Sequence, residues 1–409
     1  MRLLLLNDTT MKKYFEKHHE VRACGPVGSY PMPDQARFDF QVPWHTAIDL
    51  DQILAALSPF TPDVIIHFEA CTNIFYRGIE KAPCPTIWRT VDNHIHGWQP
   101  LYAPTHDVVL VAQKDYLPLF EEVHDNAFWL PLCSFPDVHH DRGLERTIAV
   151  GFAGSTDPRM HAERARFFSR LTKRVPVDIR SGLDQEALSH FYNQTKIVIN
   201  QSIQGDLNYR VFEAMANGAM LLTPRIENGL PLLFQDGVEL VTYTDGDVDE
   251  AAAALHYYLS HEEERERIAA AGARQVKNHS VEARALQILR WIEERLPAAF
   301  AGRKDRLTID VHKKLATLYA ALHSSRFAPP SLAVDALEEI AERAPELALR
   351  MTTRLENEVR TRLGPDAARA YHDLRVALEE KAIAPKSMDR PIRAPMSRTH
   401  KEQPPPTHP

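Results

Sequence analysis

Short apolar runs and amphipathic segments alternate along the first 135 residues. Between the first two runs, residues 49–57 place Leu50, Ile53 and Leu54 on one helical face. The runs have the length and the polar or proline boundaries of buried parallel strands, and they lie at Leu3–Leu6, Val64–Phe68, Thr86–Trp88 and Val108–Val111. This alternation predicts a doubly wound α/β lobe over residues 1–135.

A second strand–helix series begins near Thr147 and predicts a second α/β lobe over residues 145–298. The segment between the lobes, 133–145, contains Pro136 and Gly143 and is interpreted as a hinge. The strands of the second series are predicted at 148–154, 175–182, 196–202, 219–224 and 238–243, and its helices at 161–174, 184–195, 209–217 and 247–260.

The carboxyl-terminal part of the chain has a different composition. Residues 303–382 are rich in Ala, Leu, Glu and Arg and have almost no strand-like runs, which predicts a helical appendage. Residues 383–409 contain seven prolines and five Lys or Arg against two acids. Such a segment buries too little apolar surface to offset chain entropy, so a disordered basic tail is predicted.

Composition excludes several classes of protein. The formal net charge of the 409 residues is −7, which gives no general attraction for nucleic acid. The four cysteines, at 24, 71, 84 and 133, form no C-x-x-C pair, which disfavours a zinc ribbon and suits a reducing compartment. No apolar run is long enough to span a membrane, and Leu3–Leu6 suits a buried strand better than a signal peptide. A cytoplasmic location is therefore expected.

Residues 183–224 carry the clearest chemical signal. A buried strand ends near Asn200 and leads through a loop into a helix that begins near Asn208 and ends at Gly218. Asn208 suits the N-cap, where its side-chain oxygen would accept a first-turn amide, and Gly218 suits the left-handed C′ position. A helix N-terminus at the carboxyl end of a parallel sheet favours anions. Because a cation in the first turn opposes the dipole of its own helix, Arg210 predicts a bound phosphate.

This segment, with its core EAMANG (213–218) and the closing GARQVKNHSVEARALQIL, resembles the donor lobe of GT-B glycosyltransferases, closest to the CgeB-like, spore-maturation type in the style of glycosyltransferase families 4 and 1. The similarity covers 148–290. It implies two Rossmann-like lobes that bind a nucleotide-diphosphate sugar between them, with the C-terminal helical appendage outside the similarity. Where retaining family-4-like enzymes carry a glutamate eight positions before the EAMA glutamate, this chain has Gly205, which puts a retaining assignment in doubt.

The resemblance implies roles for particular residues. Glu213 would accept hydrogen bonds from the ribose hydroxyls, the helix start 208–210 would face the diphosphate, and Arg180 would lie near the base. The predicted nucleotide-sugar-binding residues are Gly154, Ser155, Arg180, Asn200, Ser202, Asn208, Tyr209, Arg210 and Glu213. No protein-bound metal or other cofactor is implied beyond the nucleotide sugar as co-substrate, with UDP, GDP and TDP all open.

Polar residues that follow a first-lobe strand predict a site on the acceptor side. If the run 89–98 is extended, Asp92, His94 and His96 share one face. A histidine beside a carboxylate is a candidate general base towards an acceptor hydroxyl. Metal binding by the same triplet and a merely polar loop both stay open. In TDGDVDE (244–250) the aspartates are expected to cap the following helix rather than bind metal.

Three functions remain in competition. The leading hypothesis is a hexosyltransferase-type enzyme that moves a sugar to a hydroxyl of a protein, polysaccharide or surface polymer. The second is an inactive nucleotide-sugar-binding or structural protein of the same fold, and the third is an epimerase or phosphorylase. Neither G-x-G-x-x-G after the first strand nor G-x-x-x-x-G-K-[ST] occurs, which disfavours nicotinamide dehydrogenases and P-loop enzymes.

Overall fold

The computed structural model describes residues 1–26, 38–42, 47–69 and 74–383. The predicted α/β fold with two lobes and a carboxyl-terminal helical region is confirmed. Residues 384–409, which hold nearly all of the predicted basic tail, and Cys71 lie outside the described part. Ile383, predicted as the first residue of the tail, ends the last helix instead.

The first lobe contains a seven-stranded parallel sheet of order β3-β2-β1-β5-β7-β8-β9 and a separate parallel pair, β4–β6. Leu3 and Leu5 of β1 enter the core on one side of the sheet, and Leu4 and Leu6 enter the core on the other side. The strands are β1 (Arg2–Leu6), β2 (Glu20–Pro26), β3 (Phe40–Val42), β4 (Ala47–Asp49), β5 (Val64–Phe68), β6 (Phe75–Arg77), β7 (Thr86–Thr90), β8 (Val108–Val111) and β9 (Ala127–Trp129). Its helices are α1 (Lys12–Phe15), α2 (Leu50–Ala56), α3 (Gln99–Tyr102) and α4 (Leu117–Glu121).

The second lobe contains a five-stranded parallel sheet of order β11-β10-β12-β13-β14. Two of its strands are shorter than predicted: the run 175–182 is a strand only at 178–180, and the run 238–243 only at 241–243. The strands are β10 (Ile148–Ala153), β11 (Asp178–Arg180), β12 (Thr195–Ile199), β13 (Met220–Pro224) and β14 (Val241–Tyr243). The helices are α5 (Ala162–Leu171), α6 (Gln185–Asn193), α7 (Tyr209–Ala216), α8 (Leu230–Leu233), α9 (Val248–Ser260) and α10 (Glu262–Gln275).

The aspartates of the segment 244–250 do not act alike. Asp247 caps α9, since its Oδ1 accepts from the amides of Asp249 at 2.9 Å and Glu250 at 3.0 Å, as predicted. Asp245 instead accepts from Nε2 of Gln201 at 2.7 Å, and Asp249 pairs with Arg174 at 2.7 Å. The capping prediction is therefore correct for Asp247 and wrong for Asp245.

After α10 the chain returns to the first lobe, which corrects the predicted lobe boundary at 298. Ala285, Ile288 and Ile292 of α11 (Val281–Glu294) are buried in the same core as Leu3 and Leu5 of β1. The sequence shows that one face of this helix is apolar, but it does not show which of the two sheets that face covers. That depends on the return of the chain to the first lobe. The short helices α12 (Leu296–Ala301) and α13 (Arg303–Arg306) follow.

The helical appendage covers one face of the first sheet. Its helices share a core with Trp88, Tyr102 and Val111 of the first lobe. The buried Asp107 accepts hydrogen bonds from Arg303 and, at 2.8 Å, from Arg306, which ties the start of the appendage to the sheet. The helices are α14 (Ile309–Ser324), α15 (Pro330–Arg343), α16 (Pro345–Leu363) and α17 (Arg369–Ile383). In the described part of the chain, no helix is long and apolar enough to cross a membrane.

Candidate functional site

The strand order of the second sheet reverses beside β10, because β11 lies on one side of it and β12 on the other. In open parallel sheets, ligands bind at the carboxyl ends of the strands where the order reverses. Gly154 and Ser155 follow β10, and Asn200 and Ser202 follow β12, so these four predicted residues lie around this switch point.

The Arg210 guanidinium packs closely against Gly154. Its φ is +152°, and a Cβ added there would lie 2.7 Å from Nη2 of Arg210. Its amide donates to the carbonyl of Arg180 on the neighbouring strand at 2.8 Å. The position therefore accepts only glycine without displacing the Arg210 side chain.

Arg210 points back across the end of the sheet. Its Nε and Nη2 donate to the carbonyl oxygen of Ala153, with the Nε contact at 3.1 Å, and its Nη1 donates to Oδ1 of Asn200 at 2.6 Å. The guanidinium carbon lies 4.4 Å from the ring centroid of Phe152. Among the described residues, no carboxylate forms an ion pair with Arg210.

Arg164 is a second cation at the same place, and sequence reasoning missed it. It lies on α5, is 7 % exposed, and donates from Nε to the carbonyl of Gln201 at 3.0 Å. Its guanidinium carbon is 5.6 Å from the ring centroid of Phe152, so Arg164 and Arg210 share one aromatic ring. Burial, and then the charge of Arg210, lower the pKa of Arg164 to about 10. No carboxylate in the described part of the chain forms an ion pair with it either.

The N-terminus of α7 is not capped as predicted. Asn208 is extended and occupies the N-cap position, but its side chain makes no capping hydrogen bond. Its Nδ2 instead lies 3.3 Å from Oδ1 of Asn200 and 3.4 Å from Oδ1 of Asp206, and its own Oδ1 is buried without a partner among the described residues. The first-turn amides of α7 therefore lack the side-chain oxygen that the capping prediction assigned to them.

Three of the predicted residues have side chains that are already engaged by the protein. Ser202 donates from Oγ to the carbonyl of Asp206 at 3.0 Å. Arg180 forms an ion pair with Asp178 at 2.8 Å on the edge strand β11. The ring of Tyr209 lies 5.7 Å from that of Phe135 and beside the Arg89 guanidinium, at the boundary with the first lobe. Only its backbone lies at the helix start that was predicted to face the diphosphate.

Glu213 is a buried carboxyl one turn further along α7, 8 % exposed. Burial raises its pKa, and the nearby His139 and Arg210 oppose that shift. Nε2 of His139 lies 3.8 Å from Oε1, and this imidazole is held by Gln185 at 2.7 Å. No described residue donates a hydrogen bond to the Glu213 carboxyl, so its oxygens are not consumed by neighbouring backbone amides.

The strand order of the first sheet reverses beside β1, which lies between β2 and β5. Asn7 and Asp8 follow β1, Glu69 follows β5, and the predicted acceptor-side loop follows the next strand, β7. Glu69 is the residue that sequence reasoning missed here. A charged residue directly after the apolar run 64–68 was the available signal.

The predicted geometry of the acceptor-side loop is wrong. The amides of Ile95 and His96 donate to the carbonyl of Asp92 at 2.9 and 3.1 Å, and Asp92 has a φ of +50°. The segment is a turn rather than an extended strand, so Asp92, His94 and His96 do not share a face by alternation. Nδ1 of His94 is buried without a partner among the described residues.

The turn still brings a carboxyl group close to His96. Nε2 of His96 lies 3.8 Å from Oε1 of Glu69, and burial lowers the pKa of this histidine while the charge of Asp92 opposes the shift. The metal alternative gains no support: no three His, Cys, Asp or Glu side chains of the described ranges are grouped so that they could hold a metal ion.

The two lobes are joined by Gln113, which is 1 % exposed. Its side chain hydrogen-bonds both backbone groups of Leu207, accepting from the amide at 2.9 Å and donating to the carbonyl at 3.4 Å. Its own amide donates to Oδ1 of Asn93 in the acceptor-side loop at 3.1 Å. The loop before α7 is thus tied directly to the loop that carries His96.

Comparison with known proteins agrees with this architecture. Residues 146–290 match the family described as "Glycosyl transferase-like". Sucrose-phosphate synthase from Thermosynechococcus elongatus, 12 % identical, superimposes with a TM-score of 0.52 over 73 % of this chain and 100 % of that one. A glycosyltransferase from Rickettsia africae, 11 % identical, gives 0.50 over 72 % and 98 %. No curated protein sequence matches the chain significantly. At these identities the superpositions establish the two-lobed fold, and the family match places a glycosyl transferase-like segment on the second lobe.

Proposed function

We propose that this chain is a glycosyltransferase that moves a hexosyl group from a nucleoside-diphosphate sugar to a hydroxyl acceptor on a protein, polysaccharide or surface polymer. One observation carries the proposal. Arg164 and Arg210 lie over the same ring at the switch point of the second sheet, and neither forms an ion pair with a carboxylate of the described residues. Arg164 is buried and Arg210 is partly buried, and two guanidinium groups that no ion pair with a described carboxylate neutralises favour a doubly charged ligand such as a diphosphate.

The remaining second-lobe residues suit the rest of a nucleotide sugar. Gly154 lets the backbone approach the phosphates, and the uncapped start of α7 offers amides and the positive end of the helix dipole. The Glu213 carboxyl, to which no described residue donates, would accept from the ribose hydroxyls. As the bond to the diphosphate breaks, Arg164 and Arg210 would stabilise the negative charge that develops on the leaving group.

The acceptor would bind on the first lobe, against the loop that contains Asp92, His94 and His96. This loop follows β7 and is joined through Gln113 to the loop before α7. A hydroxyl acceptor placed there would approach the sugar from the side opposite the second lobe. A histidine in this loop is the type of side chain that accepts a proton from such a hydroxyl.

A second candidate, a protein that binds nucleotide sugars without turnover, is favoured by one feature. Gly205 stands where retaining family-4-like enzymes have a glutamate, and its carbonyl accepts from Nδ2 of Asn228 at 3.0 Å. The loop therefore provides no carboxylate at that position. Turnover of a bound donor separates the two candidates.

We propose that no protein-bound cofactor is needed, that the chain is of the CgeB-like type and that it acts in the cytoplasm. The last point is supported by Cys24, Cys84 and Cys133, which are all buried as free thiols. The choice among UDP, GDP and TDP stays open. Thermal shift measurements with these three nucleotides and CMP test the binding proposal. A nucleoside diphosphate at 100 times its Kd adds about 2.7 kcal/mol to the free energy of unfolding; no shift with any of them contradicts the proposal.

A further inference from the structure

Glu69 lies where a parallel sheet places ligands. It directly follows β5, next to β1, where the strand order of the first sheet reverses. Its side chain is 6 % exposed, and no lysine or arginine of the described residues forms an ion pair with it. Burial of an ionisable carboxyl without a cationic partner lowers the stability of the fold, and groups of this kind cluster at functional sites.

The two oxygens of the Glu69 carboxyl have different surroundings. Oε2 accepts from the amide of Val91 at 3.0 Å and from Nε2 of Gln99. Oε1 accepts from no donor of the described residues and lies 3.8 Å from Nε2 of His96. Burial raises the pKa of Glu69 to about 8, the Val91 amide opposes that shift and the charge of Asp92 adds to it. One oxygen is thus fixed by the fold, and the other faces an imidazole.

His96 is partly open on its other side. Its side chain is 26 % exposed, and its Nδ1 has no hydrogen-bond partner among the described residues. The titratable groups that face the ring are Glu69 from the end of β5 and Asp92 and His94 from its own loop. The ring of Trp98, 5.9 Å away between centroids, completes its surroundings.

The loop that presents His96 is braced by buried amides. Nε2 of Gln99 also donates to the carbonyl of Val91 at 2.8 Å, and its Oε1 accepts from Nδ2 of Asn93 at 2.6 Å. Asn93 in turn accepts from the amide of Gln113, whose side chain binds Leu207 of the second lobe. A continuous chain of hydrogen bonds therefore fixes the Glu69–His96 pair relative to the loop that precedes Arg210.

We propose that Glu69 positions His96 as the group that accepts the proton of the acceptor hydroxyl. The inference rests on the proposed glycosyl transfer and names the residue that makes His96 competent for it. The acceptor oxygen forms a bond to the anomeric carbon while the bond from that carbon to the diphosphate oxygen breaks, and the electron pair leaves with the diphosphate. The acceptor proton passes to Nδ1 of His96, and Oε1 of Glu69 accepts a hydrogen bond from Nε2–H of the same ring.

The test uses Glu69→Gln in the full-length protein, with Glu80→Gln as a matched control because burial also raises the pKa of that first-lobe carboxyl. The probes are UDP-glucose, UDP-N-acetylglucosamine, GDP-mannose and TDP-glucose, with water as the acceptor and release of nucleoside diphosphate as the signal. Glutamine can still accept from Val91 and Gln99, so the fold is retained. We expect kcat to fall at least about tenfold, because a positioning residue supplies part of the roughly hundredfold to ten-thousandfold that general acid–base catalysis contributes, with donor KM and the affinity for the donor's nucleoside diphosphate unchanged. The kcat of His96→Gln should fall by at least the same factor.

The pH dependence separates positioning from structural support. Because the pKa of Glu69 is raised to about 8, its carboxyl is the acceptor for Nε2–H of His96 only after it has ionised. The midpoint of the rising limb of kcat should therefore follow Glu69 in the wild type and move to lower pH, towards the lowered pKa of His96, in Glu69→Gln. In ¹⁵N-histidine-labelled protein, which needs no donor, the His96 ring should report the ionisation of Glu69 as an inflection that Glu69→Gln loses. Glu69→Asp should recover part of the rate. A Glu69→Gln variant with unchanged kcat, or with a lower Tm and an unmoved midpoint, overturns the inference alone; a wild type that neither binds nor turns over any probe contradicts the proposed function.

Discussion

Replacing Arg210 by alanine removes one of the two guanidinium groups at the switch point of the second sheet. In the structure this side chain donates to the Ala153 carbonyl and to Asn200, so the variant also loses three hydrogen bonds within the lobe. Arg164 remains over Phe152 and keeps one positive charge at the site. The variant therefore weakens the anion site without abolishing it.

The magnitude follows from the bond that is lost to the ligand. A hydrogen bond to a charged partner contributes about 1.5–3 kcal/mol, which corresponds to about tenfold to a hundredfold in affinity. This loss should appear for nucleoside diphosphates and be absent for the bare nucleosides, since the missing partner is phosphate. Isothermal titration of both ligands gives the comparison. Arg174→Ala is the control, because Arg174 pairs with Asp249 beyond the other end of α5.

A correctly folded Arg210→Ala variant with unchanged affinity for the diphosphate would refute the anion-site reasoning. Equal losses for nucleoside and diphosphate would refute it as well, because they would indicate a general distortion of the lobe. Circular dichroism and Tm, measured beside the Arg174→Ala control, establish whether the variant is folded.

Three further predictions follow from the structure. Glu213→Gln should lower the affinities for nucleoside and nucleoside diphosphate by similar factors in the same titration, because the lost acceptor faces ribose. A loss of affinity confined to the diphosphate would contradict this role. Asp107→Asn should lower the free energy of unfolding in urea by about 3–5 kcal/mol, because it leaves the buried Arg303 without its carboxylate. As the control, Asp63→Asn at an exposed pair should lower it by less than about 1 kcal/mol. Similar losses in the two variants would contradict this prediction. Truncation after Lys381 should leave the nucleotide-induced thermal shift unchanged. If the truncated protein lost that shift, the residues after Lys381 would belong to the nucleotide site.

The second lobe was the easier half to predict because its signals are local. The core strands β10, β12 and β13 are continuous apolar runs, and the loop and helix between β12 and β13 lie within one short stretch of sequence. Gly218 has the left-handed backbone, φ +74°, that its place after α7 predicted. The edge strands β11 and β14 were predicted too long, because apolar residues beyond a three-residue strand still pack into the core without joining the ladder.

What the sequence could not supply depends on contacts between distant segments. Arg164 lies among other charged residues of α5 and has the appearance of a solvated helix position until the fold brings it to Phe152. Glu69 and His96 are 27 positions apart and meet because β5 and β7 are neighbours in the sheet. Whether 92–96 forms a strand or a turn depends on the Asn93 and Gln99 hydrogen bonds, which no local pattern specifies.

The proposed binding of a nucleoside-diphosphate sugar by the second lobe is best tested by the release of nucleoside diphosphate from a panel of UDP-, GDP- and TDP-sugars, measured for the wild type and for the double variant Arg164→Ala/Arg210→Ala. The wild type should cleave at least one donor, and the double variant, folded by circular dichroism, should lose both the cleavage and the affinity for that donor's nucleoside diphosphate. Cleavage that persists undiminished in the double variant, or a wild type that cleaves none of the donors, would contradict it.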